Sequence, residues 1–283
     1  MLRKYLAEKG KLIDKALDKY LPPAGQYPEV IHQAMRYTIF SGGKRLRPIL
    51  VLMAAEVCGG KDKDVLPLAC AIEMMHNYSL IHDDLPAMDN DDYRRGQLTC
   101  HKKFNEAIAI LAGDALLTRA FEIMALNKFS GEIITEVAKA IGTEGMIGGQ
   151  VAELVEKEKL SAKNDHQKAE AIKYVHLHKT AALIMVCLKA GAMAARATKK
   201  EIKALENYGE NLGLAFQITD DILDIKQDRG VFGSFTYTGI YGIKESKQMA
   251  VSILDEAKKE VKIFGRKARI LIELADFIGN RRE

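Results

Sequence analysis

The sequence predicts an all-α fold, a single-domain helical bundle spanning residues 1–283. Three observations favour this class. Hydrophobic residues make up 48% of the chain, which is enough for a substantial core at this length. The last proline is Pro86, so the long remainder of the chain lacks the residue that interrupts helices. Asn-Gly and Asp-Gly pairs, the usual signals of a tight hairpin, are absent.

Four segments have the composition and periodicity of long helices. Residues 65–82 are apolar on almost every side, as in a helix at the centre of a bundle. Residues 106–126 are similar, with Gly113-Asp114 interrupting the apolar run. Two further long helices are expected over residues 168–196 and 201–226. The predicted connections are short and lie at residues 22–28, 58–61, 82–96, 161–165 and 230–242.

Charge and cysteine content exclude several classes of function. The 42 basic and 38 acidic residues nearly balance and are spread along the chain, so no nucleic-acid partner is expected. No apolar signal region begins the sequence, and no segment reaches about 18 uncharged apolar residues, so no membrane span is expected. The cysteines lack CxxC spacing, which predicts free thiols in a reducing compartment and a cytoplasmic protein. They are Cys58, Cys70, Cys100 and Cys187.

The stretch HDDLPAMDNDDYRRG, residues 82–96, crowds aspartates together and ends in two arginines. Carboxylates this close repel one another, which destabilises a fold unless a cation binds there. Asp83, Asp84 and Asp89 are the candidate metal ligands. Asp91 and Asp92 are interpreted as solvated charges or as partners of nearby arginines.

A second aspartate cluster lies in QITDDILD, residues 217–224. Asp220 and Asp224 are four positions apart, so their Cβ atoms lie about 6 Å apart on one helix face. The neighbouring isoleucines and leucine indicate a largely buried helix, where carboxylates need cations. Oxygen ligands at this spacing suit magnesium, although a solvated acidic stripe is the alternative.

Basic residues occur near several of these motifs. GGKRLRP, residues 42–48, presents Lys44, Arg45 and Arg47, and Lys179-Thr180 opens another apolar helix. Guanidinium forks match phosphate oxygens, and magnesium usually joins carboxylates to substrate phosphates. Together the acidic and basic motifs indicate a site for a polyphosphorylated substrate with an apolar body.

These motifs resemble those of the trans-type isoprenyl diphosphate synthases. HDDLPAMDNDDYRRG is similar to the first aspartate-rich motif of that family and QITDDILD to the second. GGKRLRP, HNYSLIHDD, LAGDALL, GGQVAEL and HKTAAL follow in the family's order, so the resemblance extends from about residue 35 to about residue 225. It implies an all-α isoprenoid synthase fold, a homodimer, and the joining of an allylic diphosphate to isopentenyl diphosphate.

The resemblance also implies roles for single residues. A cluster of several Mg²⁺ ions on the allylic diphosphate would be held by Asp83, Asp84, Asp89, Asp220, Asp221 and Asp224. The same diphosphate would contact Arg94, Lys179, Thr180 and Gln217, with Lys179 counted among the catalytic residues. The diphosphate of isopentenyl diphosphate would contact Lys44, Arg47, His76 and Arg95. Without the motifs, His76 would be a hydrogen-bonded core histidine, and Thr180 and Gln217 ordinary helix residues.

Product length is predicted from the residues just before the first aspartate motif. Tyr78 lies five residues before Asp83, about 7.5 Å down a helix. A bulky ring there would form a floor for the growing chain, with Ser79 beside it. In the family an aromatic at this place goes with short products, so a farnesyl (C15) product is expected.

The sequence departs from the family pattern after Asp224. The loop is shorter than usual, and Ser234 stands where a lysine is expected. Lys226 or Arg229 would have to supply the missing positive charge. A catalytically weak partner subunit of a synthase is therefore one alternative. The others are a geranylgeranyl (C20) synthase, a terpene cyclase, and a phosphohydrolase using His82-Asp83 with His32 or His76.

Overall fold

The computed structural model describes residues 1–159, 163–226 and 235–281. These residues form thirteen α-helices, one two-stranded hairpin and two short helical segments of other types, which confirms the all-α class. The chain divides into two compact units. Residues 3–52 and 61–134, with Met1, form the first unit, and residues 53–60 and 135–283, with Leu2, form the second. The single-domain assignment stays a prediction.

The first unit contains the first half of the helices and the hairpin. Its helix α4 has 22 residues, and side chains on most of its faces, among them Leu68, Ile72, Met74 and Met75, are fully buried, as predicted for a central helix. Helix α6 begins where the Asn105 side chain accepts a hydrogen bond from the Ile108 N–H. The elements are α1 (Leu2–Tyr20), α2 (Glu29–Phe40), α3 (Leu46–Val57), α4 (Asp62–Asp83), β1 (Tyr93–Arg94), β2 (Gln97–Leu98), α5 (Cys100–Lys103) and α6 (Glu106–Leu126). Helix α7 (Gly131–Ile141), like α3, contributes residues to both units.

The hairpin was not predicted from the sequence, because residues 82–96 were expected to form a connection. Tyr93 pairs with Leu98 and Arg94 with Gln97 in antiparallel register. Both turn residues have positive φ, 54° at Arg95 and 76° at Gly96. Two-residue hairpin turns favour this combination, and here an Arg-Gly pair supplies it in place of Asn-Gly or Asp-Gly.

The second unit contains the remaining helices. Helix α9 begins with a reciprocal capping box between Asn164 and Gln167. Helix α12 begins where the Thr236 side chain accepts a hydrogen bond from the Gly239 N–H, and its helical backbone is interrupted at Gly242, where φ is 75° and ψ is 167°. The predicted connection over residues 230–242 is therefore helical from Tyr237 to Tyr241 and has a break at its last residue. The elements are α8 (Met146–Glu158), α9 (Asp165–Val175), a π-helical turn (His176–Ala181), α10 (Ala182–Ala194), α11 (Lys199–Lys226), α12 (Tyr237–Glu260), a 3₁₀ segment (Val261–Ala268) and α13 (Arg269–Gly279).

One stretch is long and apolar enough to cross a membrane by length and composition. It runs through Asp165–Ala194, and 61% of its most apolar window is buried inside the protein. Leu183, Cys187 and Leu188 of α10 are fully buried, so the core of the second unit accounts for the apolar character of this stretch.

Candidate active site

The first aspartate motif lies at the C-terminal end of α4. Asp83 is the last helical residue and Asp84 caps it. The backbone N–H of Asp89 donates to the carbonyl of Asp83 over 2.9 Å, so the loop folds back to the helix end. Asp84 is buried, Asp83 is half-buried and Asp89 is exposed. The three carboxylates of this motif therefore differ in exposure to solvent although they lie within one tight turn.

Arg94 of the hairpin binds two aspartates of this motif. Its Nε donates to Asp84 Oδ1 over 2.6 Å, and its Nη2 donates to Asp91 Oδ2 over 3.3 Å. Burial raises the pKa of Asp84, and the Arg94 charge opposes that rise. Asp92 instead pairs with Lys102 at 2.8 Å. A guanidinium thus already lies against the deepest carboxylate of the motif.

Three of the predicted basic residues of the first unit gather around His76. Arg47 Nη1 lies 3.3 Å from His76 Nε2. Burial holds the pKa of His76 well below its usual value, and the positive charges of Arg47, Arg95 and Arg94 lower it further. His76 is therefore neutral at pH 7, and its Nε2 can accept the hydrogen bond from Arg47. Lys44 is exposed on the preceding loop.

Arg45 has a different role from its neighbours in GGKRLRP. Its side chain is buried and donates to Asp14 over 2.8 Å, to Glu73 over 2.9 Å and to the Ile39 carbonyl over 2.6 Å. A guanidinium with these partners stabilises the helix packing and is not available to a ligand. Composition alone does not separate it from Lys44 and Arg47.

Arg95 is held by the glycine pair of the same loop. Its Nη1 donates to the Gly42 carbonyl, and a Cβ at Gly43 would lie 2.8 Å from the Arg95 guanidinium carbon. Only glycine leaves the space that this side chain occupies. Arg95, Arg94 and Asp84 also line a cavity of about 20 Å³, large enough for one water molecule.

The second aspartate motif lies near the C-terminal end of α11. Arg281 Nη1 donates to Asp220 Oδ1 over 2.6 Å, and its guanidinium carbon lies 4.6 Å from the centre of the Phe216 ring. Asp221 is buried and accepts a hydrogen bond from the Tyr237 N–H over 2.9 Å. Burial raises the pKa of Asp221 to about 7, against the lowering effect of its hydrogen bonds. Asp224 is exposed.

The π-helical turn His176–Ala181 contains Lys179 and Thr180, two of the residues predicted to bind the allylic diphosphate. Thr180 Oγ1 donates to Gln217 Oε1 over 3.0 Å, and Gln217 Nε2 donates to Asp221 Oδ1 over 3.3 Å. Lys179 pairs with Glu153 of α8. Single π turns widen a helix locally and are frequent at functional sites. Thr180 and Gln217 are thus joined in one chain of hydrogen bonds to the second aspartate motif.

The GGQVAEL segment has a packing role and an electrostatic one. A Cβ at Gly149 would lie 2.7 Å from the Lys179 Cα, so glycine lets α8 approach the π turn closely. Burial alone would raise the pKa of Glu153, but the charges of Lys179 and Lys157 outweigh it and the pKa is lowered. Glu153 stays ionised and orients Lys179.

Three residues of this region were not predicted to take part in the site. Glu153 lies in the GGQVAEL motif, but no local pattern pairs it with Lys179. Tyr237 acts through its backbone N–H, which carries no side-chain signature. Arg281 is distant in sequence from Asp220, so no local pattern joins them. Ser234 and Arg229 lie outside the described residues, as does the side chain of Lys226.

The aspartates have the chemistry that magnesium requires. All six candidates are carboxylates, the hard oxygen donors that this ion prefers. Asp84 and Asp220 each bind a guanidinium, so a positive charge is accommodated in both motifs. In the described part of the chain, no group of three or more Asp, Glu, His or Cys side chains is drawn together at metal-binding distances. The residues fit the ion by donor type and by charge.

Comparisons with known proteins agree with these motifs. The polyprenyl synthetase family model matches residues 28–262. A dimethylallyltranstransferase of Fischerella ambigua is 43% identical, with 98% of this chain and 83% of that protein covered. A geranylgeranyl diphosphate synthase of Cyanophora paradoxa is 41% identical, with 98% and 95% covered. The crystal structure of an FPP/GFPP synthase from Zymomonas mobilis superposes with a TM-score of 0.88 at 36% identity, covering 98% of each chain. The chain therefore belongs to the polyprenyl synthetase family of trans-prenyltransferases and has the all-α isoprenoid synthase fold.

Proposed function

We propose that the protein is a farnesyl diphosphate synthase, which extends dimethylallyl or geranyl diphosphate with isopentenyl diphosphate. The observation that carries the product length is the Tyr78 ring. It is 5% exposed on α4, five residues before Asp83. A chain that grew along α4 from the aspartates would meet this ring about 7.5 Å from Asp83. Ser79, the neighbouring residue, is half-buried.

The site residues of each unit have their own proposed roles. In the first unit Asp83, Asp84 and Asp89 bind metal, Arg94 binds the allylic diphosphate, and Lys44, Arg47, His76 and Arg95 bind the diphosphate of isopentenyl diphosphate. In the second unit Asp220, Asp221 and Asp224 bind metal, and Lys179, Thr180 and Gln217 bind the allylic diphosphate. The neutral His76 and the basic side chains around it support this assignment.

The chemistry needs little proton transfer by the protein. Bound magnesium ions would act as Lewis acids on the leaving diphosphate. The basic side chains orient the diphosphates and stabilise the negative charge that develops as the allylic C–O bond breaks. The double bond of isopentenyl diphosphate then forms the new C–C bond to the allylic carbon. A proton is lost to the released diphosphate, so no protein base is assigned.

The test is product analysis of the purified protein with magnesium, geranyl diphosphate and isopentenyl diphosphate. We expect mainly C15 product, and a longer product from Tyr78→Ala. Tyr27→Ala is the matched control because that ring is 90% exposed. Mainly C20 product from the wild type, or an unchanged length with Tyr78→Ala, would contradict the C15 proposal.

The same assay separates the alternatives. A terpene cyclase forms its product without isopentenyl diphosphate, whereas a synthase depends on it. A catalytically weak partner subunit would give no turnover alone. The C20 alternative has specific support, because the relative from Cyanophora paradoxa is named a geranylgeranyl diphosphate synthase. Chromatography of the product therefore decides between the two lengths.

We further propose that the enzyme is a cytoplasmic homodimer. On α6, Ile110 and Leu111 are 45% and 54% exposed, and on α8, Val151 is 54% exposed. Apolar helix faces of this kind are typical of surfaces that a second copy covers. The four cysteines are free thiols, as in a reducing compartment. Light scattering should give the dimer mass for the wild type and a monomer for Leu111→Glu, and a monomeric wild type would contradict the proposal.

A further inference from the structure

The Tyr78 ring is positioned by packing and not by a hydrogen bond of its hydroxyl. Its hydroxyl oxygen is buried and has no hydrogen-bond partner among the residues that the structure describes. Burial, with the nearby Asp83 charge, raises the pKa of Tyr78 to about 12, so the ring stays a neutral phenol. Without an anchor at its tip, the ring takes the position that its neighbours allow.

His82 is the aromatic neighbour of this ring. It lies one turn further along α4, and the two ring centres are 5.8 Å apart with an interplanar angle of 74°. This is an edge-to-face contact, the arrangement that aromatic pairs prefer. A shift of the imidazole therefore changes the space available to the phenol.

The imidazole of His82 is itself held by α6. Its Nε2 lies 3.1 Å from the carbonyl oxygen of Ile110, so this nitrogen carries the hydrogen and donates it. The Asp114 carboxylate lies 3.9 Å from the same nitrogen and is 59% exposed. The ring thus has one close acceptor and one more distant charge on α6.

Gly113 supplies the space in which the imidazole lies. A Cβ at this position would lie 2.9 Å from His82 Cε1 and 2.6 Å from Cδ2, closer than carbon atoms approach without a shift. Glycine in a helix interior destabilises the helix relative to alanine, so its presence in α6 is explained by this contact.

We propose that Gly113 and His82 are a positioning pair that sets the Tyr78 ring and thereby the length of the product. Gly113 leaves room for the imidazole, Ile110 orients it, and the imidazole supports the edge of the phenol. This inference rests on the proposed function, in which Tyr78 is the floor for the growing chain. It adds two specificity-determining residues that do not touch the diphosphates.

The experiment compares product lengths of His82→Ala, Gly113→Ala and the double variant with the wild type. We expect each single variant to raise the ratio of the product one five-carbon unit longer to the wild-type product by roughly fivefold or more. In Gly113→Ala the new methyl group displaces the imidazole from Ile110 and from Tyr78. The double variant should match His82→Ala, because without the imidazole the methyl group has nothing to displace.

The matched control is Gly10→Ala, the same change inside α1, where an added Cβ meets nothing within 4 Å. It should leave the product ratio unchanged. His166→Ala, at a side chain that is 81% exposed, controls for loss of a histidine. A purely structural role of the pair would lower the melting temperature or kcat without changing the product ratio, and that result would overturn the inference.

His82 adjoins Asp83, so His82→Ala can lose activity for a second reason. If it makes too little product to analyse, Gly113→Ala decides, because it changes neither histidine nor aspartate. Failure of the proposed function is a separate result. It would appear as a wild-type product other than C15, or as no effect of Tyr78→Ala. An unchanged ratio in Gly113→Ala, beside a lengthened product in Tyr78→Ala, would overturn the positioning pair alone.

Discussion

The two aspartate motifs have similar sequences, but their hydrogen-bond partners lie at different separations along the chain. In the first motif, Asp84 binds Arg94, ten residues further on and in the adjoining hairpin. In the second, Asp220 binds Arg281, 61 residues further on, and Asp221 binds the Tyr237 N–H, 16 residues further on. The first motif is therefore a local structure, and the second depends on the packing of distant helices.

This difference affects how charge is stabilised in each motif. The buried Asp84 has a guanidinium partner, which opposes the rise in its pKa. The buried Asp221 has a backbone N–H and the Gln217 amide, and its pKa rises to about 7. Similar sequence patterns thus give carboxylates with different protonation behaviour, because burial and partner charge act on each one separately.

The largest expected effect tests whether both motifs serve the reaction equally. We expect Asp84→Asn and Asp220→Asn each to lower kcat/KM about 10³-fold, because bound metal contributes several kcal/mol to charge stabilisation. Steady-state rates with geranyl diphosphate and isopentenyl diphosphate measure this. Asp92→Asn is the control, since Asp92 pairs with Lys102 and is exposed. A loss in only one motif would show that the other is structural.

The second effect compares acid stability in the two units through one histidine of each, the half-buried His76 and the buried His176. Burial lowers the pKa of His176 to about 4. The negative charge of Glu153 opposes this lowering, and the positive charge of Lys179 reinforces it. Between pH 6.5, the usual pKa of histidine, and pH 4, the folded state therefore binds fewer protons than the unfolded state. Stability from this residue is present above pH 6.5 and is lost as the pH falls to 4, by about 3 kcal/mol.

Urea unfolding at pH 7 and pH 4 measures this loss. His176→Gln, which cannot be protonated, should lose less stability on acidification than the wild type. His76→Gln should behave in the same direction, because the pKa of His76 is also lowered. His166→Gln, at an exposed side chain, is the control for replacing a histidine by glutamine. Equal acid sensitivity of His176→Gln and the wild type would contradict the prediction.

The third effect concerns the arginine of the local motif. Arg94→Gln leaves the buried Asp84 carboxylate without its guanidinium. We expect a loss of about 1–3 kcal/mol in the free energy of unfolding, below the value for a fully buried pair, because the Arg94 side chain is 32% exposed. Chemical denaturation measures it. Lys102→Gln, at an exposed pair, should change stability by less than about 0.5 kcal/mol. If Lys102→Gln lost as much stability as Arg94→Gln, the loss could not be attributed to the buried Asp84 carboxylate.

The smallest effect concerns the arginine of the long-range motif. Arg281 and a magnesium ion would compete for Asp220, so removing the guanidinium should favour the metal. We expect Arg281→Gln to lower the half-saturating magnesium concentration roughly two- to threefold. Magnesium titration of the initial rate measures it, with Lys258→Gln as a control at the Asp276 pair. An unchanged or higher magnesium requirement in Arg281→Gln would be the contrary result.

Much of the fold could be predicted from local patterns. The helix expected over residues 106–126 is α6, and the one expected over 201–226 is contained in α11 (Lys199–Lys226). The helix expected over 168–196 is helical almost throughout, but it contains the π turn at His176–Ala181. Hydrophobic periodicity finds helices because burial repeats with the helical turn, and it does not register one extra residue in a turn.

The candidate site was predicted less completely. Aspartates and arginines could be found by motif, but the partners of each required the fold. Arg45 could not be distinguished from Arg47 by type, although the structure binds Arg45 to Asp14 and Glu73. Glu153 and Arg281 were not predicted because contacts between distant segments leave no local pattern.

The sequence by itself determined the all-α class, the two aspartate motifs and the family. These depend on residue type and on spacing along one helix or loop, which chain geometry converts directly into neighbouring side chains. Tertiary structure decided which cation binds which carboxylate, which histidines stay neutral, and why Gly113 lies beside His82. Burial and long-range contacts set those properties, because the free energy of a charge or a ring depends on everything packed around it.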